Sequence, residues 1–475
     1  MRKFNIKFLT IIALGFGLLT SCQDELDQLP QDAFAPETYY QTPGDFENAT
    51  RGMYSGFLGG SYYGGFYLSR PDIMTDNVIL AQVGRRSNQF FYEWRYVPNA
   101  SWDIMTSPYI ITNRANRIIN NIDNLIDGDE KNNYLGEAKA ARALALFDMV
   151  KVYSKIPAEG SEADGFLGMP IVTNTDPNYQ ALRPTIEESM SFVISELEEA
   201  ASLVASDNNV DRIGRDAVYG LLSRAYLYNG DYQNVIDAAN QVSTQVAERA
   251  NFSGIWTDSN NDGVIFKIDQ DRNLDGVAIG VEYSQSSPSG VIPEYVASFE
   301  FFNKFENGDI RKSAYLAVEP DANGNVYNTI IKYRGEAGQN NGIVDAKILR
   351  AAEVYLNKAE AYAMLGNDAL ALAALNEVRS RRYVNFVSDD ETGQDLMDAI
   401  MLERRLELAY EGHRFFDLKR WNLPVTRSAT DGDFFDGSGT PTTFTTLPEN
   451  SPKWQLPIPQ NEINIYPEFQ QNPGY

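Results

Sequence analysis

The chain has 475 residues but one cysteine, Cys22, and one histidine, His413. A zinc site built from Cys and His clusters is therefore not available. A Ser-His-Asp or Cys-His nucleophile would have to use His413, which sits among charged and aromatic neighbours in "YEGHRFF" and reads as structural. Basic residues are also scarce, 40 against 65 acidic ones, for a net charge of −25. Such a surface repels phosphate, so nucleic acid is disfavoured as a partner, and the plain consequence of the charge is solubility. Beyond the first twenty residues no long apolar run appears. What is present is 43% hydrophobic and 12% aromatic content, ample for a sizeable globular core.

Arg2, Lys3 and Lys7 precede an apolar run from Phe8 to Leu19, interrupted by Gly15 and Gly17. The run is too short for a membrane-spanning helix, which needs about 20 residues. It fits the hydrophobic region of a secretory signal peptide. It ends in Leu19-Thr20-Ser21-Cys22, which resembles the bacterial lipobox, where the cysteine is acylated and becomes the first residue of the mature chain. The alternative is a plain signal peptide with an incidental thiol. Lipid on Cys22 would contribute about 0.8 kcal/mol per buried CH₂, so several chains anchor stably. Asp24, Glu25 and Asp27 follow closely and resemble the surface-export signal of some Gram-negative lipoproteins, though a solvated linker has the same look. The expected organisation is a signal peptide over 1–21, an acylated tether over 22–45 with Pro30, Pro36 and Pro43, and one domain over 46–475.

Within that domain helical spacing dominates. Ala138, Ala141, Ala145, Met149 and Val152 recur at steps of three and four, as do Ile348, Ala352, Tyr355, Ala359 and Tyr362. An internal echo links "RAYLYNGDYQNVIDAA" from Arg224 and "EAYAMLGNDALALAAL" from Glu360. In each, a glycine stops one helix and Asp or Asn opens the next. Weaker hairpins are expected at 109–127 with 136–154 and at 185–204 with 211–229. The pattern is similar to degenerate tetratricopeptide repeats. Long irregular segments at 55–100, 155–183, 250–345 and 422–475 carry Gly, Asn, Pro and aromatics, and loops of that length are usually functional.

Five motifs, in order, resemble the SusD/RagB family of outer-membrane nutrient-binding lipoproteins. They are the lipobox, "GEAKAARALALFDMVKVYSKIP" from Gly136, "ALNEVRSRR" over 374–382, "MLERRLELAYEGHRFFDLKRW" over 401–421, and the ending "LPIPQNEINIYPEFQQNPGY" over 456–475. The resemblance implies a mainly α fold with about four tetratricopeptide-like hairpins packed against long irregular loops and a few short strands. It implies ligand-binding loops at 55–100 and 250–345. It also implies a SusC-like TonB-dependent outer-membrane barrel as partner, attachment to the outer membrane by lipid alone, facing the cell exterior, and capture of an oligosaccharide without catalysis. The paired charges of the 401–421 signature (Arg404 with Glu407, Glu411 with Arg414, Asp417 with Arg420) read as structural glue at i,i+3 spacing.

Sugar rings stack on aromatic side chains while polar groups meet their hydroxyls. The densest such stretch is 61–103, with Tyr62, Tyr63, Tyr67, Tyr92 and Trp94 near Arg85, Arg86 and Asn88. Trp94 is the leading stacking candidate and Trp102 reads as core. A second segment carries Tyr283 and Tyr295. Each of these aromatics suits a core as well as a site. "DRNLDGVAIGVE" matches a calcium-loop spacing through Asp271, Asn273, Asp275 and Glu282, but its strand-like flanks and turn residues favour a hairpin turn, so no cofactor is expected. Three readings stay open beside glycan capture: a peptide-binding protein of the same architecture, a glycan-cleaving enzyme using two carboxylates, and a helical scaffold for proteins alone.

Overall fold

The computed structural model describes residues 39–475 except 164, 177 and 271–277. The signal peptide, Cys22 and most of the tether lie outside the described residues, as do Asp271, Asn273 and Asp275. Helix α1 (Pro43–Tyr54) begins inside the last residues of the expected 22–45 tether. Thr42 caps it: its hydroxyl accepts from the Asp45 amide and the Asp45 carboxylate accepts from the Thr42 amide at 2.8 Å.

Next come α2 (Thr106–Asn121), α3 (Asp129–Tyr153), α4 (Ile186–Ala201), α5 (Arg215–Asn229) and α6 (Tyr232–Ala239). Each packs on its successor, and α6 packs on α7 (Ala351–Met364), which pairs with α8 (Asp368–Arg379) and α9 (Gly393–Glu407). The two echoed hairpins form as their sequences dictate. Gly230 (φ 77°) and Gly366 (φ 74°) end α5 and α7 in the left-handed conformation that glycine tolerates. After the first, Asp231 accepts from the Asn234 amide. Two helical details differ from expectation. Helix α3 is buried on all sides from Gly136 onward rather than along one stripe, because α2 and α4 flank it. Ile348 is not helical; it lies in a strand.

That strand, β8 (Ala346–Arg350), pairs antiparallel with β2 (Val264–Ile268). Strand character at 264–268 was legible in its composition; a partner some eighty residues away was not. A four-stranded sheet has the order β1 (Val78–Leu80), β5 (Tyr295–Ala297), β7 (Val326–Ile330), β6 (Leu316–Pro320). A hairpin of β3 (Ser284–Ser287) and β4 (Gly290–Pro293), and a short pair of β9 (Val425–Thr426) with β10 (Thr446–Leu447), complete the irregular side.

A buried ionic network joins the two sides. Helix α9, the turn after it and α10 (Arg414–Arg420) carry the signature charges. Asp417 and Arg420 pair locally at 3.0 Å, as their spacing suggests. The other two local pairs do not form. Arg404 reaches Asp417 at 2.9 Å, Glu411 reaches Arg350 at 2.6 Å and Lys332 at 2.7 Å, and Arg414 reaches Asp76 at 2.8 Å. Glu407 is fully buried and meets Arg350 and Arg382, each at 2.8 Å. The reason is that α9 stops at Glu407, so Glu411 and Arg414 share no helix, and burial draws each charge to whichever counter-charge the fold supplies. His413 is buried beside Glu353, and desolvation holds its imidazole well below its usual pKa, neutral and structural.

Candidate functional site

Strand β1 feeds a loop that runs from Ala81 to Trp94 and is held from several sides. The Gln82 amide donates to Asp433 at 3.0 Å. Glu294, at the head of β5, accepts from the Arg85 amide (2.8 Å), the Arg85 Nε (3.0 Å) and the Ser87 amide (3.1 Å). Tyr295 donates its hydroxyl to the Ser87 carbonyl at 2.6 Å. Asn88 donates to Glu282 at 2.6 Å and accepts from Arg70 at 3.3 Å. Burial raises the Glu282 carboxyl and lowers the enclosed Arg70 guanidinium to about 9. Gly84, Arg86, Asn88 and Trp94 all have φ between 53° and 85°. A Cβ on Gly84 would meet the Pro293 carbonyl oxygen at 2.5 Å, so the loop also needs glycine for close approach. Three non-glycine residues in the left-handed region within nine positions are a concentration of strain of the kind held at functional sites.

The loop borders a cavity of about 210 Å³ walled by Arg86, Tyr92 and Glu93 on one side and Thr440–Phe444 on the other. A narrower recess shares Ile79, Tyr92 and Thr442 with it and extends to Ser298, Glu300 and Asp431. Arg427 underlies both walls. Its guanidinium donates to the carbonyls of Thr75 and Tyr92 at 2.8 Å, Phe444 at 3.1 Å and Ile73 at 3.3 Å. It lies 3.8 Å over the Tyr92 ring and 4.3 Å over the Trp94 ring. Tyr92 is buried, and its hydroxyl has no hydrogen-bond partner among the described residues.

The sequence-predicted site residues divide sharply. Arg86 stands exposed at the cavity mouth and Tyr92 lines it. Arg85 and Asn88 brace the loop through Glu294 and Glu282. Trp94 is a correction. It is only 8% exposed, its indole donates to the Met74 carbonyl at 2.9 Å, and Arg427 covers its face, leaving no surface for a sugar. Tyr62, Tyr63 and Tyr67 are likewise core. Their rings pack on one another 4.6–5.3 Å apart, and Tyr62 and Tyr67 both donate to the buried Asp148 at 2.6 Å. Tyr283 is fully buried against Tyr410. Trp102 is buried as expected, with its indole on the Ser61 carbonyl. Glu282, the described member of the calcium-loop spacing, is taken up by Asn88. The threonine-rich wall at 440–444 and Arg427 lie in a segment whose length alone marked it as functional; no residue of it was singled out.

Two family models match this chain. One, described as "SusD family", matches residues 301–475, and a second, described as "Starch-binding associating with outer membrane", matches residues 71–227. Between them the two matches make the chain similar to the SusD family over much of its length. A SusD-like protein of Formosa agariphila, P38, is 25% identical over 90% of this chain and 93% of its own length. A SusD-like protein of Bacteroides ovatus is 23% identical over 89% and 83%. A solved SusD superfamily structure from Bacteroides thetaiotaomicron superposes with a TM-score of 0.79 at 25% identity, covering 91% of this chain and all of that one. A candidate sugar binding protein from Bacteroides vulgatus matches equally well, TM-score 0.79 at 26% identity over 91% and 98%. The SusD fold is thus what the helical hairpins and their irregular flank form. No helix among the described residues is long and apolar enough to cross a membrane.

Proposed function

We propose that this SusD-like chain captures an oligosaccharide at the cavity beside the 81–94 loop, and passes it, uncleaved, to a TonB-dependent outer-membrane barrel. The observation that carries the site is the strained, cross-braced loop holding exposed Arg86 over a cavity lined by Tyr92 and the 440–444 threonines. Threonine hydroxyls and the Arg86 guanidinium meet there, a donor and acceptor set suited to sugar hydroxyls. The names of the starch-binding family model and of the sugar-binding relative support the same class of ligand. With the predicted tyrosines in the core, affinity at this site rests on hydrogen bonds more than on stacking.

The test is affinity electrophoresis of the intact chain through gels containing soluble starch, xyloglucan or galactomannan. Removing one charged hydrogen-bonding group from a binding site costs about 1.5–3 kcal/mol, so Arg86→Ala is expected to weaken retardation by the preferred polymer about tenfold or more. Retardation unchanged by Arg86→Ala, in every gel that retards the parent, removes this cavity as the site. Product analysis of the same incubations should show no cleavage; new reducing ends would establish the enzyme reading instead.

The anchor belongs to the same proposal. Cys22→Ser is expected to move the chain from the membrane fraction to the soluble fraction while leaving glycan retardation intact, because several acyl chains supply the attachment. A Cys22→Ser chain that still sediments with outer membranes rules the lipid anchor out. Co-purification of a barrel with the parent chain tests the transfer partner.

A further inference from the structure

A second cleft, which shares no residue with the Arg86 cavity, opens between the start of α2, the 170–181 strap and the C-terminal helix α11 (Gln460–Ile465). At about 590 Å³ it is the more spacious of the two and within the range of small-ligand sites. Its walls hold what the tyrosines and tryptophans of 61–103 turned out to lack: rings that reach solvent. Tyr179 is 49% exposed, and Tyr109 and Tyr466 are half-buried, with the Tyr109 hydroxyl donating to the Pro170 carbonyl at 3.2 Å and so fixing its ring.

Polar groups converge on the same space. Asn178 and Gln180 flank Tyr179, and Glu462 faces the cleft from α11. The Glu462 carboxylate has no hydrogen-bond or ion-pair partner among the described residues. Burial, and secondarily the nearby Asp103, raise its pKa. None of the lining side chains is basic. Aromatic faces with amide and carboxylate edges match a pyranose ring, whose C–H face is apolar and whose rim carries hydroxyls. With no basic side chain in the lining and the carboxylates of Glu462 and Asp103 close by, the cleft disfavours uronates and sulfate esters.

We infer that this cleft is a second carbohydrate site, taking a neutral pyranose segment stacked on Tyr179 and Tyr466 with its hydroxyls on Asn178, Gln180 and Glu462. The inference rests on the reading that the chain binds glycans, and it adds a second point of contact for one long polymer. Two sites on one chain raise the apparent affinity for polymers that span both.

The experiment compares Tyr179→Ala, Glu462→Ala and Arg86→Ala in the intact chain, by electrophoresis through soluble starch, xyloglucan and galactomannan. Among the described residues Tyr179 and Glu462 make no side-chain hydrogen bond, and matching thermal melts confirm that each variant is folded. At least one polymer that retards the parent should bind Tyr179→Ala about tenfold more weakly, the scale of one aromatic face removed. Glu462→Ala should weaken the same polymer. Cleft variants that match the parent in every retarding gel overturn the second site, and if Arg86→Ala alone weakens binding the proposed function survives without it. Loss in the cleft variants with none in Arg86→Ala keeps the second site and discards the first. If no polymer retards the parent, both fall.

Discussion

Glu407→Ala is expected to destabilise the protein by about 3–5 kcal/mol, the scale of breaking a buried, hydrogen-bonded charge cluster by removing one member. The Glu407 carboxylate is fully buried and accepts from Arg350 Nη1 at 2.8 Å and from Arg382 Nε and Nη2 at 2.8 and 2.9 Å, with Arg311 at 3.4 Å. Alanine would leave these guanidiniums facing one another, with Glu403, Asp309 and Glu411 as the remaining anions nearby. Denaturant unfolding reads the change as a lower midpoint; a variant within about 1 kcal/mol of the parent would show that the cluster does not depend on this carboxylate. The exposed pair of Arg51 with Glu47 serves as the contrast, where Arg51→Ala should cost no more than about 0.5 kcal/mol. The cluster also predicts a pH response. Although burial opposes ionisation, Arg382 and Arg350 outweigh it and hold the Glu407 carboxyl well below the usual carboxylate range. A carboxyl depressed in the folded state stabilises above its unfolded pKa, about 4.3, and that contribution is lost as pH falls toward the folded value. The chain should therefore lose stability progressively below about pH 4 for this reason.

Arg427→Ala is expected to abolish glycan retardation at the Arg86 cavity and to cost at least about 2 kcal/mol of stability, since each buried carbonyl left unpaired costs about 1–3 kcal/mol. One guanidinium ties β9 to the backbone at Ile73, Thr75, Tyr92 and Phe444, so both walls of the cavity share it as their anchor. Burial pushes its pKa down, the nearby Asp76 and Glu93 carboxylates oppose that shift, and Tyr92 and Trp94 stack against it. Arg427→Lys should restore little, because a compact ammonium cannot reach carbonyls arranged around a planar fork. An Arg427→Ala chain that binds its polymer as the parent does would show that the walls hold their places without it.

How much of this was legible in the chain depended on the range of the interaction concerned. The hairpin stops at Gly230 and Gly366 were readable because a left-handed helix end is a local demand. The family motifs were readable because they are contiguous. Trp102 was placed in the core, and His413 as structural, from their immediate neighbours. Ion pairing was read at i,i+3 spacing and held for Asp417 with Arg420 alone among the three pairs, since the other partners, Arg350, Lys332 and Asp76, come from distant segments.

By itself, then, the sequence determined the mainly helical SusD architecture, the places where its helices stop, and one stretch, 61–103, inside which the structure places the cavity-bordering loop. Only the tertiary structure decided which aromatics are core and which meet solvent. Tyr62, Tyr67 and Trp94 have the composition of a sugar platform, yet Asp148, Arg427 and the Met74 carbonyl claim them. Tyr109, Tyr179 and Tyr466 are singled out by nothing in the sequence and line an open cleft. The same ring gains by leaving water against a core or against a ligand, and nothing in its own neighbourhood along the chain distinguishes the two. The choice is made by residues tens to hundreds of positions away that arrive, or fail to arrive, on its face.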